Sequence, residues 1–199
     1  MFNIYRNGGK RLFDFIAATI GVLLLTPFLF ILAIIVKGSS KGPIIYKQKR
    51  VGLDFKPFTM YKFRSMVVNN AEKHQLVTAA GDQRITPIGK FLRRYKLDEL
   101  PQLINVIKGD MSLVGPRPEV MKYIQYYEED YRTVLSIRPG ITDNAAIAFK
   151  NEEDILSKYK DTESAYIKKI MPEKITLYKK YIKKQSLFND VVLILKTIF

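Results

Sequence analysis

Asp98 and Glu99 are adjacent carboxylates that follow closely on Arg93, Arg94 and Lys96. Nearby cations keep a carboxylate ionised, as a nucleophile towards a phosphoryl group must be, and its neighbour could hold Mg²⁺ or assist proton transfer. The same pair also suits a helix start, with Asp98 as N-cap and Glu99 as a first-turn acid. The two readings are compatible, since a helix N-terminus also favours phosphate. Arg117 stands between Pro116 and Pro118, which restrict the backbone and so aim a guanidinium suited to bidentate phosphate recognition. A surface ion pair would use the same residue. Lys62 and Arg64 alternate with aromatics in Tyr61-Lys62-Phe63-Arg64-Ser65-Met66, as either a substrate groove or a solvated strand face would require. Arg138, before Pro139-Gly140, has the same two readings.

Composition narrows the chemistry. The chain of 199 residues has no cysteine and one histidine, His74, in a polar stretch. Disulfides, thiolate metal sites, a Ser-His-Asp triad and a multi-histidine zinc site are therefore set aside. Catalysis would rest on carboxylates, cations, tyrosines or an oxygen-bound metal. A formal charge of +14 calls for an anionic partner: nucleic acid, an anionic bilayer or a phosphorylated substrate.

The elements that must hold these residues begin with an anchor. Phe15–Val36 carries no charge, and as a straight helix would reach about 33 Å, enough to cross the hydrocarbon. Thr26-Pro27 interrupts its middle, where proline removes a donor and the Thr26 hydroxyl can serve a freed carbonyl. Basic residues flank both ends: Arg6, Lys10 and Arg11 before, Lys37, Lys41, Lys47, Lys49 and Arg50 after. The positive-inside tendency then favours a re-entrant helix that breaks at Thr26-Pro27 and returns. A kinked spanning helix is the alternative.

The expected fold is α+β and predominantly helical. Residues 1–37 form the anchor and residues 38–199 a cytoplasmic domain. Strands are expected at Ile44–Tyr46 and Phe55–Phe63 around Gly52-Leu53-Asp54, and a polar loop with some helix over Asn69–Gly81. One helix starts at Thr86-Pro87; another runs from Asp98-Glu99 to Gly109 with Leu100, Leu103, Ile104 and Ile107 inward. Helix is also expected through Glu119–Leu135 and over the C-terminal third. There Lys168, Lys169, Lys174, Lys179, Lys180, Lys183 and Lys184 interleave with Ile175, Leu177, Tyr178, Tyr181 and Ile182, as in a helix on anionic lipid or a solvated face packed on the domain.

Taken in order, the motifs carry a resemblance. Lys10-Arg11-Leu12-Phe13-Asp14, the Thr26-Pro27 break, Gln48-Lys49-Arg50-Val51-Gly52 and Tyr61–Met66 come first. Lys96-Leu97-Asp98-Glu99-Leu100-Pro101-Gln102, Lys108-Gly109-Asp110-Met111-Ser112, Gly115-Pro116-Arg117-Pro118-Glu119 and Arg138-Pro139-Gly140-Ile141-Thr142 follow. Over residues 10–142 the chain resembles the bacterial sugar transferases known as monotopic polyprenyl-phosphate phosphoglycosyl transferases.

The resemblance implies transfer of a phosphosugar from a UDP-sugar to undecaprenyl phosphate, with release of UMP. It matches Asp98 to a nucleophile that forms an aspartyl phosphosugar, and Glu99 to its partner, with Mg²⁺ held at this pair. Lys62, Arg93 and Arg117 match cationic active-site positions. It further implies anionic membrane lipid rather than nucleic acid as a neighbour, the cytoplasmic face of a bacterial inner membrane, and a minimal catalytic form with no further N-terminal membrane domain. The sugar and the oligomeric state are left unread. A departure follows Thr142, where a common Gly-Trp-Ala-Gln is replaced by Asp143-Asn144-Ala145-Ala146.

Overall fold

A computed structural model describes residues 5–67, 77–78 and 80–198. His74 and most of the Asn69–Gly81 stretch lie outside the described residues. The chain enters through a π-turn, Tyr5–Gly9, into one helix, α1 (Lys10–Ser39), whose apolar part has a mean hydropathy of 2.7 and is long enough to cross a membrane. One stripe, Lys10, Asp14, Ala18, Leu32 and Val36, is buried against the rest of the protein. Leu23, Leu24, Phe30, Ile31 and Ile34 on other faces are exposed. The buried stripe's steps of four and fourteen residues keep the period of a helix with one docked side.

The expected interruption at Thr26-Pro27 does not occur, because α1 continues through Pro27. Thr26 Oγ1 donates to the Val22 carbonyl at 2.7 Å. The carbonyl left without its usual donor by Pro27 is that of Leu23, so the hydroxyl serves its neighbour instead.

Strand β1 (Ile45–Val51) pairs antiparallel with β2 (Pro57–Phe63), from Ile45 opposite Phe63 to Val51 opposite Pro57. The first strand thus continues past Tyr46 through the basic residues Lys47–Arg50, since a two-stranded ribbon leaves one side open for their charges. The connecting turn places Asp54 and Phe55 at φ of 51° and 61°. Helix α2 (Pro87–Arg94) begins as expected: Thr86 Oγ1 accepts from Gly89 N at 2.8 Å, with Pro87 in the first turn. A 3₁₀ turn, Leu97–Glu99, leads into α3 (Gln102–Lys108), which ends at Gly109 with φ of 91°.

The buried residues of α3 are Gln102, Asn105 and Val106, whereas Ile104 is exposed, contrary to the expected inward face. The reason is that α3 lies between α1 and β2. Asn105 faces the strand, accepting from Tyr61 N at 3.0 Å and donating to Thr59 O at 2.8 Å.

Strand β3 (Ser112–Val114) pairs parallel with β4 (Gly140–Thr142), and α4 (Met121–Ile124) and α5 (Glu128–Val134) lie between them in sequence. The two strands approach closely at Gly115 and Gly140. A Cβ on Gly140 would stand 2.1 Å from Gly115 N, so neither position has room for a side chain.

Helices α6 (Asn144–Ala148), α7 (Glu152–Ser157), α8 (Thr162–Ala165), α9 (Met171–Lys184) and α10 (Leu187–Ile198) complete the chain, with a π-turn, Tyr166–Ile170, before α9. The expectation of a lipid-lying basic helix is corrected for α9. Its apolar residues Met171, Ile175 and Tyr178 belong to the largest buried cluster, and Lys174 is itself buried in an ion pair with Glu152. The remaining lysines form a solvated edge. Helix α10 is the C-terminal element with an exposed apolar side, made by Leu187, Phe188, Val191 and Leu195.

Candidate active site

Three local devices bring the carboxylates to their cations. Lys96 takes the left-handed conformation, φ 57°, a costly geometry for a side-chain-bearing residue, and so turns the chain sharply from α2 into Leu97–Glu99. Asn105 docks α3 on the edge of β2, which carries Lys62. Gly89 lets α2 rest on the backbone leaving β2, since a Cβ there would come within 1.8 Å of Ser65 O.

The outcome is a cluster in which Glu99 is clamped. Lys62 Nζ lies 2.8 Å from Glu99 Oε1. Arg117 contributes both terminal nitrogens, Nη2 at 2.5 Å from Oε1 and Nη1 at 3.2 Å from Oε2. Burial raises the Glu99 pKa, but the charges of Arg117 and Lys62, and their hydrogen bonds, outweigh it and hold the carboxyl well below the usual range. Glu99 in turn raises Arg117 further above its ordinary value. Lys62 moves the other way: burial lowers it, and Glu99 opposes the shift.

Asp98 is only 5% exposed, yet among the described residues its carboxylate has no ion-pair or hydrogen-bond partner. It caps no helix, because the residue at the cap position of α3 is Pro101. Burial pushes its pKa up; the charge of Lys62 pulls it down, the neighbouring Glu99 raises it, and Arg93 and Arg117 lower it. One carboxylate is therefore neutralised and locked, and the other is unpartnered in the same field.

The remaining candidates are distributed differently. Arg93 lies within reach of Asp98's field, but its guanidinium is engaged by Glu153 at the start of α7, with Nε 3.2 Å from Oε1. Arg64 is buried away from the carboxylates: its guanidinium bonds the carbonyls of Val36 at 2.9 Å and Ser40 at 2.6 Å, and that of Pro43. It caps the C-terminal end of α1. Arg138 donates through Nε to Gly109 O at 2.9 Å and is not brought to the pair. Sequence reasoning missed Asn105 and Gln102, both fully buried polar residues next to the site. A polar side chain in an apolar run was the available signal, but the strand it docks on is remote in sequence.

The donor set fits Mg²⁺, which takes one or two carboxylates and completes its shell with substrate phosphates and water. Asp98 offers an unpartnered carboxylate, and Glu99 Oε2, with one bond to Arg117, has lone-pair capacity left. Among the described residues no three His, Asp or Glu gather into a self-sufficient cage.

Comparison with known proteins gives this arrangement a family. Residues 5–199 match the family model for bacterial sugar transferases, and the chain belongs to that family. It is 39% identical over 194 residues to a UDP-glucose:undecaprenyl-phosphate glucose-1-phosphate transferase of Escherichia coli (strain K12), covering 96% of this chain and 39% of that protein. It is 37% identical over 194 residues to a UDP-N-acetylgalactosamine-undecaprenyl-phosphate N-acetylgalactosaminephosphotransferase of Aeromonas hydrophila, covering 95% of this chain and 42% of that protein. A UDP-glucose:undecaprenyl-phosphate glucose-1-phosphate transferase of Caulobacter vibrioides (strain ATCC 19089 / CIP 103742 / CB 15) is 34% identical over 192 residues, covering 95% of this chain and 68% of that protein. The chain thus spans about two fifths of the length of the first two relatives.

Proposed function

We propose that this protein transfers a phosphosugar from a UDP-sugar to undecaprenyl phosphate and releases UMP, as the first membrane step of glycoconjugate assembly. The observation that carries the reading is the unpartnered Asp98 carboxylate beside a Glu99 already neutralised by Lys62 and Arg117. In the first step an Asp98 oxygen attacks the β-phosphorus of the donor; the bond to the α-phosphate oxygen breaks and UMP leaves. In the second, an oxygen of the polyprenyl phosphate attacks the same phosphorus and frees the Asp98 carboxylate. An anionic nucleophile meets an anionic phosphorus centre only where cations offset the repulsion. Lys62, Arg117 and Arg93 supply that offset, and Glu99 holds the first two in place. Asp98 and Glu99 would hold Mg²⁺ with the diphosphate, and the ion would add charge neutralisation there.

The membrane reading draws on both ends of α1. Near its start, Arg11 bonds the carbonyls of Val106 at 2.5 Å and Ile107 at 2.7 Å in α3; near its end, Arg64 holds the carbonyls of Val36 and Ser40. A spanning helix would separate these two attachments by the hydrocarbon thickness, with charged parts of one body on opposite sides. A helix that dips into the cytoplasmic face of the inner membrane keeps both on one side, among anionic lipids and beside the lipid acceptor.

The test is a reaction of protein, Mg²⁺ and a panel of UDP-sugars without acceptor. Stoichiometric UMP and a phosphosugar adduct on Asp98, seen by mass spectrometry, are expected. Turnover only when acceptor is present, with no adduct from any competent donor, would replace the two-step route by direct transfer.

A further inference from the structure

Asp143 has an unpartnered buried atom. Asp143 follows β4 directly, and β4 lies against the loop that carries Arg117: Gly115 N donates to Thr142 O at 3.0 Å and Gly140 N to Pro116 O at 2.9 Å. Asp143 is 1% exposed. Its Oδ1 accepts from the backbone of Ala145 and, at 2.9 Å, of Ala146, which accounts for its place at the start of α6. Its Oδ2 is buried with no hydrogen-bond partner among the described residues.

Two phenols share this neighbourhood. Tyr178 of α9 and Tyr131 of α5 are both 3% exposed, and among the described residues neither hydroxyl has a partner. Both pack in one buried cluster with Ala145, two residues past Asp143, whose charge bears on both phenols as those of Arg117 and Lys174 bear on it. The adjacent tyrosines are different: Tyr166 is bonded to Glu119, and Tyr181 to Val114 O at 3.1 Å and Asp190 at 2.7 Å. Buried polar groups are almost always hydrogen-bonded, so the orphaned Asp143 Oδ2, with two phenol hydroxyls free to bond and an active-site arginine nearby, calls for a ligand.

We propose that Asp143, with the hydroxyls of Tyr178 and Tyr131, reads the sugar of the donor, Asp143 Oδ2 accepting from a hydroxyl or amide N–H of the transferred sugar. This rests on the phosphosugar-transfer reading, in which Arg117 faces the phosphate next to that sugar. A carboxylate repels phosphate, so the group is not another phosphate subsite. A phenol both donates and accepts, and its ring offers a face to sugar C–H groups. A site that bonds a substrate hydroxyl discriminates strongly against donors that lack it, because its own polar group is then left unpaired.

The experiment compares kcat/KM for UDP-sugars that differ at one hydroxyl or acetamido group, in the wild type, Asp143→Asn and Tyr178→Phe. Asparagine keeps the oxygen that starts α6 but turns Oδ2 into a donor. The expected result is a change of about tenfold or more in the ratio between donors for either variant, with melting temperatures close to wild type. If Asp143→Asn does not fold, the same ratio in Tyr178→Phe decides. An equal fall for every donor, or an unchanged ratio, overturns the inference and leaves the transferase reading standing. A loss that follows the nucleobase when the sugar is kept also overturns it. A wild type that turns over no donor removes the transferase reading and this inference together.

Discussion

Asp98→Asn replaces a carboxylate that burial holds above its ordinary pKa by a neutral amide of the same shape. The folded state binds that proton more readily than the unfolded chain, so it loses stability as pH rises past the usual carboxylate range and through the Asp98 pKa. The amide carries no such penalty. Turnover should fall by on the order of 10³-fold or more while the melting temperature near pH 7 stays level or rises, as read by UMP release and thermal unfolding. Lys62→Met gives a complementary outcome. It removes the charge that most lowers the Asp98 pKa, so the acid limb of the pH–rate profile should move to higher pH. An unmoved limb would detach Lys62 from Asp98. The four residues of this centre were legible from type and setting: two adjacent acids among cations, an arginine between prolines, and a lysine alternating with aromatics. Arg64 was legible as an aromatic-flanked cation but not in its direction. One residue past a strand end, a long side chain can turn to the substrate or back to the anchor, and here it turns back.

At the scale of elements, what holds the site is contributed by residues without chemistry of their own. Arg64→Ala would leave the carbonyls of Val36, at the end of α1, and of Ser40 and Pro43, just past it, without this donor, the Val36 bond in a buried place. Loss of charge-assisted hydrogen bonds there should cost about 3 kcal/mol and speed amide exchange in the last turns of α1, measurable by hydrogen–deuterium exchange. Gly89→Ala should separate α2 from Ser65 and lower both stability and turnover, since the added methyl meets backbone rather than a yielding side chain. Helix boundaries such as Thr86-Pro87 and Gly109 were legible because capping chemistry is local. The inward face of α3 was not, because Gln102 and Asn105 are buried by partners distant in the chain, and periodicity of apolar residues alone pointed to Ile104. Pro27 likewise signalled a break that the helix absorbs.

For the whole molecule, the two ends of the chain are joined by a buried ion pair. Lys10 Nζ lies 2.5 Å from Asp190 Oδ2, and Tyr5 and Tyr181 donate to the same carboxylate. Lys10→Met strands a buried charge and should cost about 3–5 kcal/mol, whereas pairing it with Asp190→Leu should restore much of the loss in thermal unfolding. Because the chain has no cysteine, each introduced thiol is unique. With thiols placed at Lys37 and at Asn189, a membrane-impermeant reagent should label both from the cytoplasmic side only. Labelling of Lys37→Cys from the opposite side would make α1 a spanning helix. The Lys10–Asp190 pair also imposes an order on biosynthesis. The apolar helix leaves the ribosome long before α10 exists, and Lys10 waits for a partner made 180 residues later. On the membrane reading proposed above, insertion precedes closure of the fold, and until Asp190 is made Lys10 has only Asp14, at 3.7 Å, as a partner.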